Sequence, residues 1–338
     1  MKIFKASEFI LQGKQTESLL RSTQQNDFPH AVLLCGDAGV GKRSLAYACA
    51  AALLCENQKD RPCFVCRSCK LLENDENPDL IRVRAGVPLS EDTKAGRRTI
   101  PVDDIREVIR LSGEYAFLGH NRVIVIENAE TMTVQAQNCL LKTLEDPPVH
   151  VYFILTVTQP SLLIQTVLSR CRLIYMHGWP DEYVRKLLSE RTGDSKRIDA
   201  CVSAANGSIG KAYELSNDEE YWALYDETVS NVFECRERSS IMQYVNSWQS
   251  RKENVDRLLD CIGSIISDMY RTGFGVKKNS AQLPPTWKNN LGLYDINTFT
   301  QLNEALMEAR IMKESSVNVM YILETLIMKI MEVRQICQ

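Results

Sequence analysis

The chain has 338 residues, enough for two or three domains with cores of their own. Its 44% hydrophobic and 25% charged residues are the balance of an ordinary water-soluble globular protein. A formal net charge of −3 excludes the broad basic field of an autonomous nucleic-acid binder, so any contact with DNA must be local or supplied by partners.

Residues 1–29 are polar, with Phe9, Ile10, Leu19 and Leu20 marking the apolar face of short helical patches. No run there has signal-peptide length and no later run spans a bilayer, so a cytoplasmic protein is expected. Ala31–Leu34 reads as a buried parallel strand, Gly36 to Lys42 spell G-x-x-x-x-G-K, and an Ala-rich helix follows from about Lys42 to Cys55. Strand, glycine loop and helix in that order make a phosphate cradle. Backbone N–H groups close around phosphate oxygens, the helix N-terminus adds a favourable dipole, and Lys42 reaches the terminal phosphates. The next position should hold Ser or Thr to ligate magnesium. It holds Arg43, and Ser44 comes one place late.

Cys55, Cys63, Cys66 and Cys69 follow as C-x7-C-x2-C-x2-C. Four thiolates in one short segment suit a tetrahedral structural zinc, which leaves no open position for catalysis. Free thiols and a redox C-x-x-C pair are the alternatives. The other eight of the 12 cysteines are scattered, mostly in apolar segments, and are expected in cores.

Further on, Asp79–Arg84 reads as a second strand, 85–98 as a loop, Pro101–Leu111 as a helix and Arg122–Ile126 as a third strand. Thr133–Glu145 is a helix stopped by Asp146-Pro-Pro148; Val151–Leu155 and Arg172–Met176 are the fourth and fifth strands. Strands alternating with helices predict a five-stranded parallel sheet covered on both faces, an α/β domain over 1–177 that carries the cysteine module as an insert at 55–69. Strand signals then cease. A small helical lid domain is expected over 178–217 and an all-α domain over 218–338, interrupted by a Gly/Pro/Asn-rich stretch at 273–292. The stripe of Leu323, Leu326, Ile327, Ile330 and Met331 in the last helix is a packing face.

An ATP-hydrolysing site needs an acidic pair after the third strand, one residue to organise magnesium and one to activate water. The corresponding residues are Glu127 and Asn128. Glu127 can still direct negative charge at a metal, but Asn128 cannot take a proton from water as a carboxylate does. As bland alternatives, Glu127 and Glu130 are solvated strand-end and helix-start acids, and Arg170 is a surface charge.

Taken together, the loop at Pro29–Lys42, the helix Asn138–Pro148, the strand Phe153–Thr158, the segment Thr166–Cys171 and the cysteine insert resemble the clamp-loader branch of the AAA+ ATPases. The resemblance is strong over residues 1–215. It implies that the arginine of Ser169-Arg170-Cys171 is a finger reaching the ATP site of the next subunit, where such a guanidinium contributes on the order of 10³–10⁵ in rate. It implies that Thr158 is the nucleotide-sensing polar residue and that 218–338 is a collar holding a five-membered ring. The implied partners are gamma/tau and delta clamp-loader subunits, a sliding clamp (beta) and primed DNA, with a place in the DNA polymerase III holoenzyme.

Hydrolysing members carry Ser or Thr after the loop lysine, acids at the positions of Glu127 and Asn128, and an arginine where this chain has Gly210. These departures, with Arg170 intact, predict a subunit that assists a neighbour's ATPase rather than a gamma/tau-like motor. Binding of ATP or ADP without hydrolysis is compatible with Gly36, Gly39, Gly41, Lys42, Ser44, Glu127 and Thr158. Two other readings compete. One is an active motor in which Ser44 and Glu127 replace the missing ligands. The other is a zinc-dependent nucleic-acid-binding module using Arg61, Phe64, Arg67 and Lys70.

Overall fold

A computed structural model of the chain describes all residues except 1–8, 10–11, 91–92, 120, 191–194, 236, 276–282, 316 and 337–338. Ile10 lies outside the described residues. The chain divides into two compact units, residues 1–180 with 208–210, and residues 181–207 with 211–338.

The first unit is built on five parallel strands: β1 (Ala31–Cys35), β2 (Leu80–Val83), β3 (Arg122–Ile126), β4 (Val151–Val157) and β5 (Arg172–Tyr175). Their order is β2-β3-β4-β1-β5, so β1 lies between β4 and β5. Residues of β1 and β3 are buried throughout, which is why these runs are continuously apolar rather than alternating. β4 runs two residues past the expected Leu155, because Thr156 and Val157 pair with Leu34 and Cys35.

Helices cover the sheet. These are α1 (Lys14–Gln25), α2 (Lys42–Leu54), α3 (Arg67–Glu73), α4 (Val102–Ser112), α5 (Val134–Glu145) and the single turn α6 (Gln165–Leu168). α2 is buried nearly all round, and its alanines let the backbone approach the sheet closely. Thr133 caps α5 by accepting the N–H of Ala136. The parallel register brings the carboxyl ends of β1, β3 and β4 to one edge, so the glycine loop, Glu127 and Thr158 share that edge. Ligands of open α/β sheets bind in such a crevice.

The second unit is helical: α7 (Asp181–Ser189), α8 (Ser195–Ala205), the body of α9 (Ile209–Asn217), α10 (Glu219–Thr228), α11 (Arg238–Ser247), α12 (Val255–Gly273), α13 (Pro285–Asn290), α14 (Ile296–Glu314) and α15 (Val319–Ile336). Its core holds Trp248, Trp287, Phe233 and Phe299, with the Trp287 and Tyr294 rings stacked 4.8 Å apart. α12 buries Leu258, Ile262, Ile265 and Met269, and the predicted stripe on α15 is buried as a packing face. α10 is followed directly by a π-helical turn at Val229–Phe233. The expected loop 273–292 contains α13, started by Pro284-Pro285. Among the described residues, no helix is long and apolar enough to cross a membrane.

Candidate nucleotide site and cysteine cluster

The loop after β1 is shaped by close backbone approach. Gly36 has φ +151°, and a Cβ there would lie 2.4 Å from the carbonyl oxygen of Met176. The Gly36 N–H donates to Val157 O on β4 at 3.3 Å. Lys42 opens α2 and is buried; its Nζ donates to the loop carbonyls of Gly36 (2.6 Å) and Asp37 (2.8 Å). Burial pushes the Lys42 ammonium below its ordinary pKa, with Glu130 and Asp37 pulling it back up. The Trp179 Nε1–H donates to Val40 O at 2.8 Å, and the Phe9 and Trp179 rings flank Gly41.

Gly210 donates its N–H to Gly39 O at 3.1 Å, and a Cβ on Gly210 would sit 3.1 Å from the Gly39 Cα. A side chain there would require the loop to yield. This accounts physically for glycine at the position where hydrolysing clamp-loader subunits are expected to carry arginine.

Arg43 turns toward the end of β3, its Nη1 3.5 Å from Glu127 Oε2. Tyr47, one helical turn further along the same face of α2, donates its hydroxyl to Glu127 Oε1. Burial, then this bond, pushes the Tyr47 phenol far above its ordinary pKa. Glu127 is therefore a buried carboxylate with both oxygens engaged, not a solvated strand-end acid. Ser44 is rotated about 100° from Arg43 around the helix and does not occupy the same position.

Asn128 adopts the left-handed conformation (φ 49°) that Asn tolerates better than most residues, and its N–H donates to Thr156 Oγ1 at 2.9 Å. Thr158 donates its N–H (2.9 Å) and its hydroxyl to Glu130 Oε1. Glu130 thus holds Thr158 rather than standing in solvent, and neither Tyr47 nor Glu130 was assigned a role by the motif.

A magnesium ion, which the resemblance implies beside such a loop in hydrolysing members, does not fit this donor set. The residue after Lys42 offers a cation, and the Glu127 carboxylate at the end of β3 is shared between Arg43 and Tyr47.

Arg170 follows α6. Its Nε donates to Glu145 Oε1 at 2.9 Å, and its Nη1 donates to Thr166 O at 2.8 Å. Its side chain is 29% exposed. Its partners are Glu145, Thr166 and Ser169, none of them from the cradle.

The sulfurs of Cys55, Cys63, Cys66 and Cys69 all lie within 4.8 Å of one another. A tetrahedral Zn–S shell of about 2.3 Å bonds places sulfurs about 3.8 Å apart, so the cluster is disposed to hold such an ion. Backbone N–H groups of Cys63, Cys66 and Cys69 donate to the sulfurs of Cys55, Cys63 and Cys66, each at 3.4 Å. Arg61 is 4% exposed and spends its guanidinium on Asn57 O, Thr23 O, Asn26 Oδ1 and Gln58 Oε1. It anchors the insert to the end of α1 and is not available to nucleic acid. Of the other eight cysteines, Cys35, Cys49, Cys171, Cys201 and Cys261 are buried as expected, Cys139 and Cys235 are only partly so, and Cys337 lies outside the described residues.

A family model described as DNA polymerase III, delta subunit, matches residues 11–179. The chain is 34% identical over 209 residues to DNA polymerase III subunit delta' of Escherichia coli K12, covering 61% of this chain and 60% of that protein. It is 35% identical to the Haemophilus influenzae subunit delta' over 144 residues, covering 43% of this chain and 41% of the other. It is 31% identical to subunit tau of Bacillus subtilis over 175 residues, covering 51% of this chain and 29% of the other. The alignments thus span less than two thirds of these relatives. A solved DNA polymerase III gamma subunit-related protein of Thermotoga maritima covers 95% of this chain and all of its own, at 16% identity and TM-score 0.45.

Proposed function

This chain belongs to the DNA polymerase III delta-subunit family, and from that premise we propose that it is a delta-prime-type clamp-loader subunit that does not hydrolyse ATP. It supplies Arg170 in trans to the ATP site of a neighbouring subunit and helps load a sliding clamp onto primed DNA. In this reading gamma/tau and delta subunits are its ring partners, residues 178–217 form the lid, 218–338 form the collar, and zinc fills the cysteine cluster. The cradle of Gly36, Gly39, Gly41 and Lys42 retains nucleotide without turning it over.

One observation carries this reading. Where a motor subunit needs a metal ligand, Arg43 stands and pairs with Glu127, while Arg170 remains on a partly exposed edge. A chain that kept its finger and lost its metal site is suited to act on another subunit's nucleotide.

The test is ATP turnover by the chain alone and in the reconstituted complex with gamma/tau, delta, clamp and primed DNA. The chain alone should show none. Arg170→Ala should leave assembly intact and abolish turnover at the neighbouring site, a loss there on the order of 10³-fold. Full stimulated turnover by an assembled Arg170→Ala complex would remove the finger role.

A further inference from the structure

The missing metal ligand is replaced by something specific. In a loop of this pattern the residue after the lysine holds the ion that bridges the terminal phosphates. Here that residue is Arg43, on the first turn of α2, where the helix dipole also favours an anion. Its side chain is 64% exposed, and its ion pair with Glu127, at 3.5 Å, has no accompanying hydrogen bond of ordinary length. Such a loose, solvent-facing pair holds the guanidinium weakly, leaving it able to turn to a phosphate, for which its planar fork is well matched. A divalent ion arriving with a nucleotide would meet the like charge of Arg43, and one Glu127 oxygen is already held by the Tyr47 hydroxyl.

We propose that the cradle takes a nucleoside di- or triphosphate free of divalent metal, with Arg43 as the tethered counter-charge to the phosphates in place of magnesium. This rests on the reading that the cradle retains nucleotide. Lys42 and the loop N–H groups hold the phosphates, Arg43 neutralises the outermost oxygens, and Glu127 keeps Arg43 at the rim when the phosphates leave.

The experiment is an anisotropy titration of the full-length chain with fluorescent ATP and ADP analogues, with magnesium present or omitted. Magnesium is withheld rather than chelated, so that any zinc in the cysteine cluster is left in place. Affinity without magnesium should equal or exceed that with it, by up to about tenfold. Binding that tightens with magnesium, or that is absent without it, overturns the proposal. In Arg43→Thr the sign should reverse, magnesium now tightening binding; a variant still indifferent to magnesium overturns the role of Arg43. Phosphate release from the wild-type chain is followed separately. Turnover would sink the non-hydrolysing reading, whereas magnesium-dependent binding without turnover would sink only the metal-free one.

Discussion

Gly36 shows how little freedom the cradle has. A methyl group at this position meets the Met176 carbonyl oxygen at 2.4 Å, and that atom belongs to backbone that cannot swing aside. Gly36→Ala should therefore lower stability by at least about 2 kcal/mol, read from the midpoint of urea unfolding; an unshifted midpoint would mean that the loop relaxes freely. At Arg43 and Asn128 the sequence was legible in one respect only. Both stood out as departures from hydrolysis chemistry, because each occupies a motif position. That Arg43 and Tyr47 close on one carboxylate was not legible, since the partner lies about 80 residues away and only the pairing of β1 and β3 with β4 brings it there. The available signal was the i, i+4 spacing of a cation and a phenol on a helix that the motif itself places beside the acid. Glu130 was hidden for the same reason: its partner Thr158 sits at the end of another strand.

At the scale of elements, the strands were readable because each is a short apolar run, and a parallel sheet buried on both faces demands that composition. Short helices were not. α3, seven residues, begins at the cysteine cluster, where Cys66 caps it by accepting the N–H of Cys69. α13, six residues, lies within a stretch whose Gly, Pro and Asn content signals a loop. Neither is long enough for its periodicity to register. The capping role of Cys66 ties α3 to the state of the cluster. Cys63→Ser should bind less than the one zinc per chain expected of the wild type, measured by metal release on thiol titration. Amide exchange in residues 55–73 should then accelerate while the strands stay protected. Unchanged exchange in that segment would show that the insert is held by Arg61 and its partners alone.

For the whole molecule, charge decides what the chain can do without company. The net charge is −3, and Arg61, the central basic residue of the cysteine insert, is buried. The isolated chain should bind primed DNA no more tightly than the roughly micromolar range of non-specific contact near physiological salt, measured by anisotropy. Tight binding with a steep salt slope that is lost on mutating Arg67 and Lys70 would favour a nucleic-acid module.

A magnesium ion comes and goes with its nucleotide, so an ordinary motor site is rewritten at each cycle. The Arg43 guanidinium is part of the covalent chain and stays in place whether a nucleotide comes or goes. Under the metal-free reading, swings in cellular magnesium do not reach this position. If the chain works beside ATP-hydrolysing subunits as proposed, it has no clock of its own and serves as the fixed reference against which theirs run.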